Sequence, residues 1–156
     1  MEAIVRSSKM DDLERVIPLW KRFMDDLASL DRPIPTHEEN TRRQKEFFGK
    51  LVSEDPGQIQ VAEADGKLVG FVACQKSVKF PLDMGYTWAY ISDVFVDEAY
   101  RGRGLGKMLL ESVLRHLKSE GVRDVRLAVW HKNEIAKRLY KELGFAEYME
   151  TLRFTL

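Results

Sequence analysis

The stretch Tyr90-Ile91-Ser92-Asp93-Val94-Phe95-Val96, then Asp97-Glu98-Ala99-Tyr100, then Arg101-Gly102-Arg103-Gly104-Leu105-Gly106, decides how the rest of the chain is read. Its first part is strand-like. Beyond it Leu105, Met108, Leu109, Ser112, Val113 and Leu117 recur at spacings of three and four, one face of a helix. A strand therefore hands over to a helix at the glycines. The first amides of a helix lack internal partners, and the dipole there favours an anion. Glycines at 102, 104 and 106 remove side chains that would hold a phosphate off those amides, and Arg101, Arg103 and Lys107 add positive charge. The segment reads as a diphosphate cradle.

Spacing decides which cradle. A dinucleotide fingerprint counted from Gly102 needs glycine where Lys107 stands, and counted from Gly104 it needs glycine where Leu109 stands. A P-loop needs one more residue between Gly102 and Gly106-Lys107, and a hydroxyl where Met108 stands. What fits is Arg-x-x-Gly-x-Gly, as Arg101, Gly104 and Gly106, directly after an apolar strand. This resembles the pyrophosphate-binding motif of the GNAT superfamily of N-acetyltransferases, whose members bind acetyl-coenzyme A there. A flexible turn ahead of a helix is the bland alternative.

A second constellation lies downstream. Asn133 and Tyr140 are two helical turns apart and share nearly one face, with Ala136 between them and Gly144-Phe145 behind. With the preceding strand they are similar to the second coenzyme A motif of the same superfamily. There the Asn contacts the pantetheine arm and the Tyr serves as general acid. The resemblance covers about 90–145 closely and the amino-terminal half only in element order. It implies acetyl-CoA held by Val94, Phe95 and Val96 of the strand, by Arg101, Gly102, Arg103, Gly104, Leu105, Gly106 and Lys107, and by Asn133. Without that context Tyr140 reads as a core tyrosine, and Asn133 also suits a helix N-cap.

Attack of a neutral amine on a thioester builds charge on the carbonyl oxygen, which a strand amide near Val94 or Phe95 would stabilise. Coenzyme A leaves as a thiolate, and Tyr140 is the candidate to protonate it. The amine must first lose a proton, and Asp93 is the acidic residue best placed. Ser92-Asp93-Val94-Phe95-Val96 is similar to the acidic strand of diamine and polyamine acetyltransferases, but Ser92 stands where those typically have Glu. Asp93 therefore has three readings: it binds the substrate's cationic end, relays a proton through water, or holds a β-bulge.

The 156 residues suit one domain spanning 1–156, and Lys plus Arg balance Asp plus Glu at 25 each. No global field draws such a chain to nucleic acid or an anionic membrane, so phosphate recognition is local. A single cysteine, Cys74, rules out an intramolecular disulfide. With no signal-peptide core and no membrane-length apolar run, the expectation is a cytoplasmic protein. No Cys/His spacing points to a metal. Cys74 reads as core packing, His37 and His116 as helix surface, and His131 as a solvated loop residue. Lys132, Lys137 and Arg138 are candidates for a ribose phosphate.

Element signals run in a regular order. Ala3–Arg6 is a short strand. Asp11 with Glu14 suits the cap of a helix through Leu27, with a kink or late start at Pro18. Thr36 with Glu39 suits the cap of a second helix to about Ser53. Two antiparallel strands, 58–64 and 67–78, flank Asp65-Gly66, and 80–85 is a loop. After the helix 105–120, Val125, Leu127, Val129 and Trp130 form a strand parallel to the central one. A helix 133–143 follows, and Tyr148, Leu152 and Phe154 anchor a last strand in 145–156. The predicted architecture is α/β: one GNAT-like mixed sheet, β-α-α-β-β-β-α-β-α-β, with helices on both faces.

The expected activity is transfer of an acetyl group from acetyl-CoA to a primary amine of a small molecule or peptide. The rivals are a coenzyme A-binding regulatory module and a generic phosphate-ligand domain. An acceptor cleft is expected between 27–39 and 80–88, where Asp31, Asp83 and Asp93 lean towards a cationic acceptor. A homodimer is compatible with the sequence.

Overall fold

Alternating apolar residues on either side of Asp65-Gly66 build the centre of the molecule. In the computed structural model, which describes residues 2–76 and 85–156, β1 (Ala3–Ser7), β2 (Ile59–Ala64), β3 (Lys67–Lys76), β4 (Trp88–Val96) and β5 (Asp124–Leu127) form one sheet in that order. The first three pairings are antiparallel, and β4 with β5 is parallel, as a strand-helix-strand crossover requires. Asp65 and Gly66 take φ of 51° and 73°, the twist that suits a tight hairpin.

The helices divide between the two faces. α1 (Leu13–Ala28) and α2 (Glu38–Glu54) bury Val16, Trp20, Phe48 and Leu51 against Ile59, Val61, Phe71 and Phe95. α3 (Leu105–Ser119) buries Leu109, Leu110, Val113 and Leu117 against Val72, Cys74, Ala89 and Ile91 on the other face. α4 (Glu134–Glu142) brings Leu139 and Tyr140 to the same face, half-buried. Among the described residues no helix is long and apolar enough to cross a membrane.

Local caps differ from expectation. α1 runs through Pro18, and it is Asp12, not Asp11, that organises its start. The Asp12 carboxylate accepts from the Lys9 backbone amide and binds Arg6 and Arg15, and the Arg6 guanidinium holds it well below the usual carboxylate range. α2 is capped by His37, whose Nδ1 accepts from the Asn40 amide at 3.3 Å, rather than by Thr36. His116 is not a free surface residue: its Nε2 lies 2.8 Å from Asp55 Oδ2.

The last strand of the predicted order does not form. Residues 145–156 pair with no described strand, and Tyr148, Leu152 and Phe154 stand 73%, 91% and 87% exposed. The edge they would need is short, because β5 ends at Leu127 and Val129 and Trp130 lie beyond it, half out in solvent. Val78, the loop 80–84 and Asp83 lie outside the described residues.

Candidate active site

One irregularity in β4 organises the site. Ala73 of β3 pairs with Asp93, but the next residue, Cys74, pairs with Ile91, so Ser92 is an extra residue on β4. The bulge reverses the alternation of the strand. Ala89 and Ile91 face α3, whereas Asp93 and Phe95 lie with Ala73 and Phe71 on the α1/α2 face. Of the three sequence readings of Asp93, the bulge is present, and the side chain it turns inward is a carboxylic acid.

That acid is 8% exposed and accepts a 2.5 Å hydrogen bond from Ser92 Oγ. Burial pushes its pKa up from 3.8 to about 6, the Ser92 hydroxyl pulling the other way. A carboxyl group poised near neutrality is suited to take and return a proton.

β5 pairs with β4 only from Trp88–Asp124 to Ile91–Leu127. From Ser92 onward β4 is bonded to β3 on one side alone, and its other edge faces the split between the strands. The outward backbone groups along this edge are those of Val94 and Val96; the Val96 carbonyl accepts from Arg101 Nε, and the rest suit an extended ligand that adds as a strand would. The Phe95 side chain is buried in the α1/α2 core and its backbone groups point to Phe71 of β3, so Phe95 shapes this edge without offering it a polar group.

The glycines beyond β4 have separate uses. Gly102 and Gly104 take φ of 74° and 80°, and a Cβ on either would meet nothing within 4 Å. Both conditions of a cradle are met there: a left-handed backbone and open space above it. Gly104 is the N-cap of α3, which aims the first-turn amides of Leu105, Gly106 and Lys107 outward from the helix start. A Cβ on Gly106 would come 3.3 Å from Leu139, so this glycine admits α4 rather than a ligand. The Leu105 side chain is a core anchor, 2% exposed.

Arg101 is spent differently from the sequence expectation. Its Nε donates to the Val96 carbonyl at 2.8 Å, its guanidinium ion-pairs with Asp26, and it lies over the Phe95 ring. It ties the end of β4 to α1, while Arg103 lies over the Tyr100 ring and Lys107 Nζ is 3.9 Å from Glu111. Lys137 is likewise engaged, with Glu134 and the His131 carbonyl.

α4 supplies the other half. Asn133 Oδ1 accepts from the Ala136 amide at 3.2 Å, an N-cap. At the far end the Phe145 amide donates to the Tyr140 carbonyl and the Gly144 amide to Lys141, with Gly144 at φ 94°. This is a Schellman closure, and its hydrophobic contact is the Tyr140–Phe145 ring pair at 5.9 Å. Gly144-Phe145 therefore holds Tyr140 in place. Burial raises the Tyr140 phenol to about 12. The Cys74 thiol, fully buried, is also pushed to about 12, which leaves no thiolate for an acyl-cysteine route.

A cavity of about 430 Å³ lies between the segment after α1 and the segment beyond β5, lined by Ser29, Leu30, Asp31, Arg32, Trp130, His131, Lys132 and Arg153, and neither Asp93 nor Tyr140 is among its lining residues. The sequence missed its far wall, because Trp130 was read as a strand residue and Arg153 as part of another strand.

The acetyltransferase (GNAT) family model matches residues 22–145. The chain belongs to this family of N-acetyltransferases. An N-acetyltransferase of Methanocaldococcus jannaschii is 38% identical over 65% of this chain, a match spanning 44% of that protein. One of Archaeoglobus fulgidus is 29% identical over 87% of this chain and 88% of its own length. Among solved structures, a predicted acetyltransferase from Clostridium acetobutylicum with acetyl-CoA superposes with a TM-score of 0.79 at 17% identity, over 99% of this chain and 96% of that one. That neighbour shares the fold.

Proposed function

We propose that this GNAT chain transfers the acetyl group of acetyl-CoA directly to a primary amine of a small molecule or peptide, both substrates being bound together. The observation that carries the reading is the split between β4 and β5, with Asp93 turned to one face of the sheet and Tyr140 packed on the other. A thioester lying in the split is then reached by an acceptor from the α1/α2 side and by a proton donor from the α4 side.

The cradle at Gly102–Lys107 takes the diphosphate, and the free edge of β4 takes the pantetheine arm. Asp93, ionised above about pH 6, accepts the proton of the incoming ammonium. The amine nitrogen bonds to the carbonyl carbon while a β4 amide stabilises the oxygen. The carbon–sulfur bond then breaks, and the electron pair leaves on sulfur. Tyr140 is protonated throughout the physiological range and donates to that sulfur. Because a thiol is a stronger acid than this phenol, Tyr140 lowers the barrier as a hydrogen-bond donor, and the proton that the nitrogen sheds after attack passes through water to complete the thiol.

The cavity is the size of a small-ligand site. Its charge argues less for a polycation than the acidic residues alone did, because the Asp31 carboxylate accepts from Arg153 Nη1 at 2.9 and 3.1 Å. Thiol release from acetyl-CoA against diamines, aminoglycosides, amino acids and short peptides tests the reading. Amine-dependent release is expected. Tight coenzyme A binding with no release for any amine would favour a regulatory module instead.

A further inference from the structure

The proposed reaction leaves Asp93 holding a proton, and a group that is 8% exposed has to return it to solvent before the next turnover. Little around the carboxyl can take it. Ala73, Phe71 and Phe95 lie on its face of the sheet, with Phe23 of α1 against the Phe95 ring and Phe48 and Leu51 of α2 in the same core. Next along that face come Tyr90 and Gln75, and beside Tyr90 the paired Arg126 and Asp124 of β5. Arg22 of α1 and Arg101 lie over the Phe95 ring, but they are paired with Asp97 and Asp26. Among the described residues no charged group acts on the Asp93 carboxyl: burial and the Ser92 hydroxyl set its affinity for a proton.

Ser92 differs from these neighbours because it is the extra residue of the bulge. It is exposed between two buried residues, Ile91 and Asp93, and yet its Oγ lies 2.5 Å from Asp93 Oδ2. The same oxygen is 3.4 Å from the Ala73 carbonyl oxygen. A hydroxyl has one hydrogen and two lone pairs, so it donates to a carboxylate and accepts from a carboxylic acid. In the second case its own hydrogen turns to the Ala73 carbonyl or to solvent. We propose that Ser92 is the positioning residue through which Asp93 discharges its proton, an inference that rests on the reading of Asp93 as the base. The Asp93 O–H bond breaks as the proton joins Ser92 Oγ, its electron pair stays on the carboxylate, and the hydrogen first held by Oγ leaves to water. Rotation of the hydroxyl back towards Oδ2 restores the starting state.

Carbon-13 NMR of the Asp93 carboxyl reads its titration with no acceptor present. Ser92→Ala removes the donor that favours the carboxylate, so the midpoint should rise from about 6 by roughly one pH unit, and Ser92→Thr should bring it back. With an amine that releases thiol, the acid limb of kcat/KM should move up alongside it. At pH 8 kcat of Ser92→Ala should fall roughly tenfold, and imidazole, small enough to take the proton directly, should restore it while leaving the wild type unmoved. A titration that stays in place, or a kcat that imidazole does not restore, overturns the proposal. Asp93→Asn keeps two failures apart. If it turns over as the wild type does, the reading of Asp93 as the base falls and takes this one with it; if it is inactive beside an unchanged Ser92→Ala, the role of Ser92 alone falls.

Discussion

A carboxyl group that is buried against its own chemistry leaves a mark on stability. Asp93 has a pKa of about 6 in the fold against 3.8 unfolded. Below both values it is neutral in either state; between them the fold holds the extra proton; above 6 the fold bears an ionised buried carboxylate. Its contribution to stability therefore falls as pH rises from 3.8 through 6. Asp93→Asn removes that cost. Denaturant unfolding should show the variant more stable by about 1–3 kcal/mol at pH 8, with the gap closing towards pH 4. Turnover should fall, and the acid limb of kcat/KM near pH 6 should vanish with it. Tyr140 is the opposite case, a group whose usefulness lies in not titrating. Tyr140→Phe is expected to cost roughly 10²-fold in kcat at neutral pH while coenzyme A affinity stays level by calorimetry. Equal kcat would return Tyr140 to the packing role that its contact with Phe145 already gives it.

Among the elements, β4 and the loop after it show what a sequence can and cannot display. Arg101, Gly104 and Gly106 announced the turn, and Gly144-Phe145 announced the closure that holds Tyr140, since each depends on residues adjacent in the chain. A bulge was one of three readings of Asp93, but nothing in the chain placed the extra residue at Ser92. It appears only when β3 and β4 are laid side by side, and it exchanges the faces of every residue after it. For the same reason three glycines that look equivalent are not: Gly102 and Gly104 front open space, and Gly106 fronts Leu139. Segment 145–156 shows the converse, since its pattern is that of a strand and yet pairing needs an edge that the pattern does not supply. The cradle has its own test. Gly104→Val forces a branched side chain into φ near 80° and fills the space above the helix start. Acetyl-coenzyme A should bind at least tenfold more weakly, whereas acetyl-pantetheine, which lacks the diphosphate, should react as well as before. Equal losses for both would mean that the variant had damaged the split rather than the cradle.

For the molecule as a whole, the sheet is a partition. The order of strands and helices as far as α4, and hence helices on both faces, was legible from periodicity and crossover length; the last strand expected in 145–156 was not borne out. That one face carries α1 and α2 and Asp93, while the other carries α3, α4 and Tyr140, follows only from the folded arrangement. On the proposed reading the partition gives acceptor and cosubstrate separate approaches, and so their affinities should vary independently. Asp31→Asn tests this from the acceptor side. It removes the carboxylate that neutralises Arg153 and leaves the cavity more positive by one charge. An ammonium acceptor should then bind less well, its KM rising roughly threefold or more, a rise that shrinks with added salt. Coenzyme A affinity should stay level, because the cradle begins beyond β4 and shares no partner with Asp31. In the double variant with Gly104→Val the two losses should add within about 0.5 kcal/mol, as expected of sites without shared contacts. A larger coupling would mean that the split transmits strain between its walls, and the two faces would then have to be treated as one site.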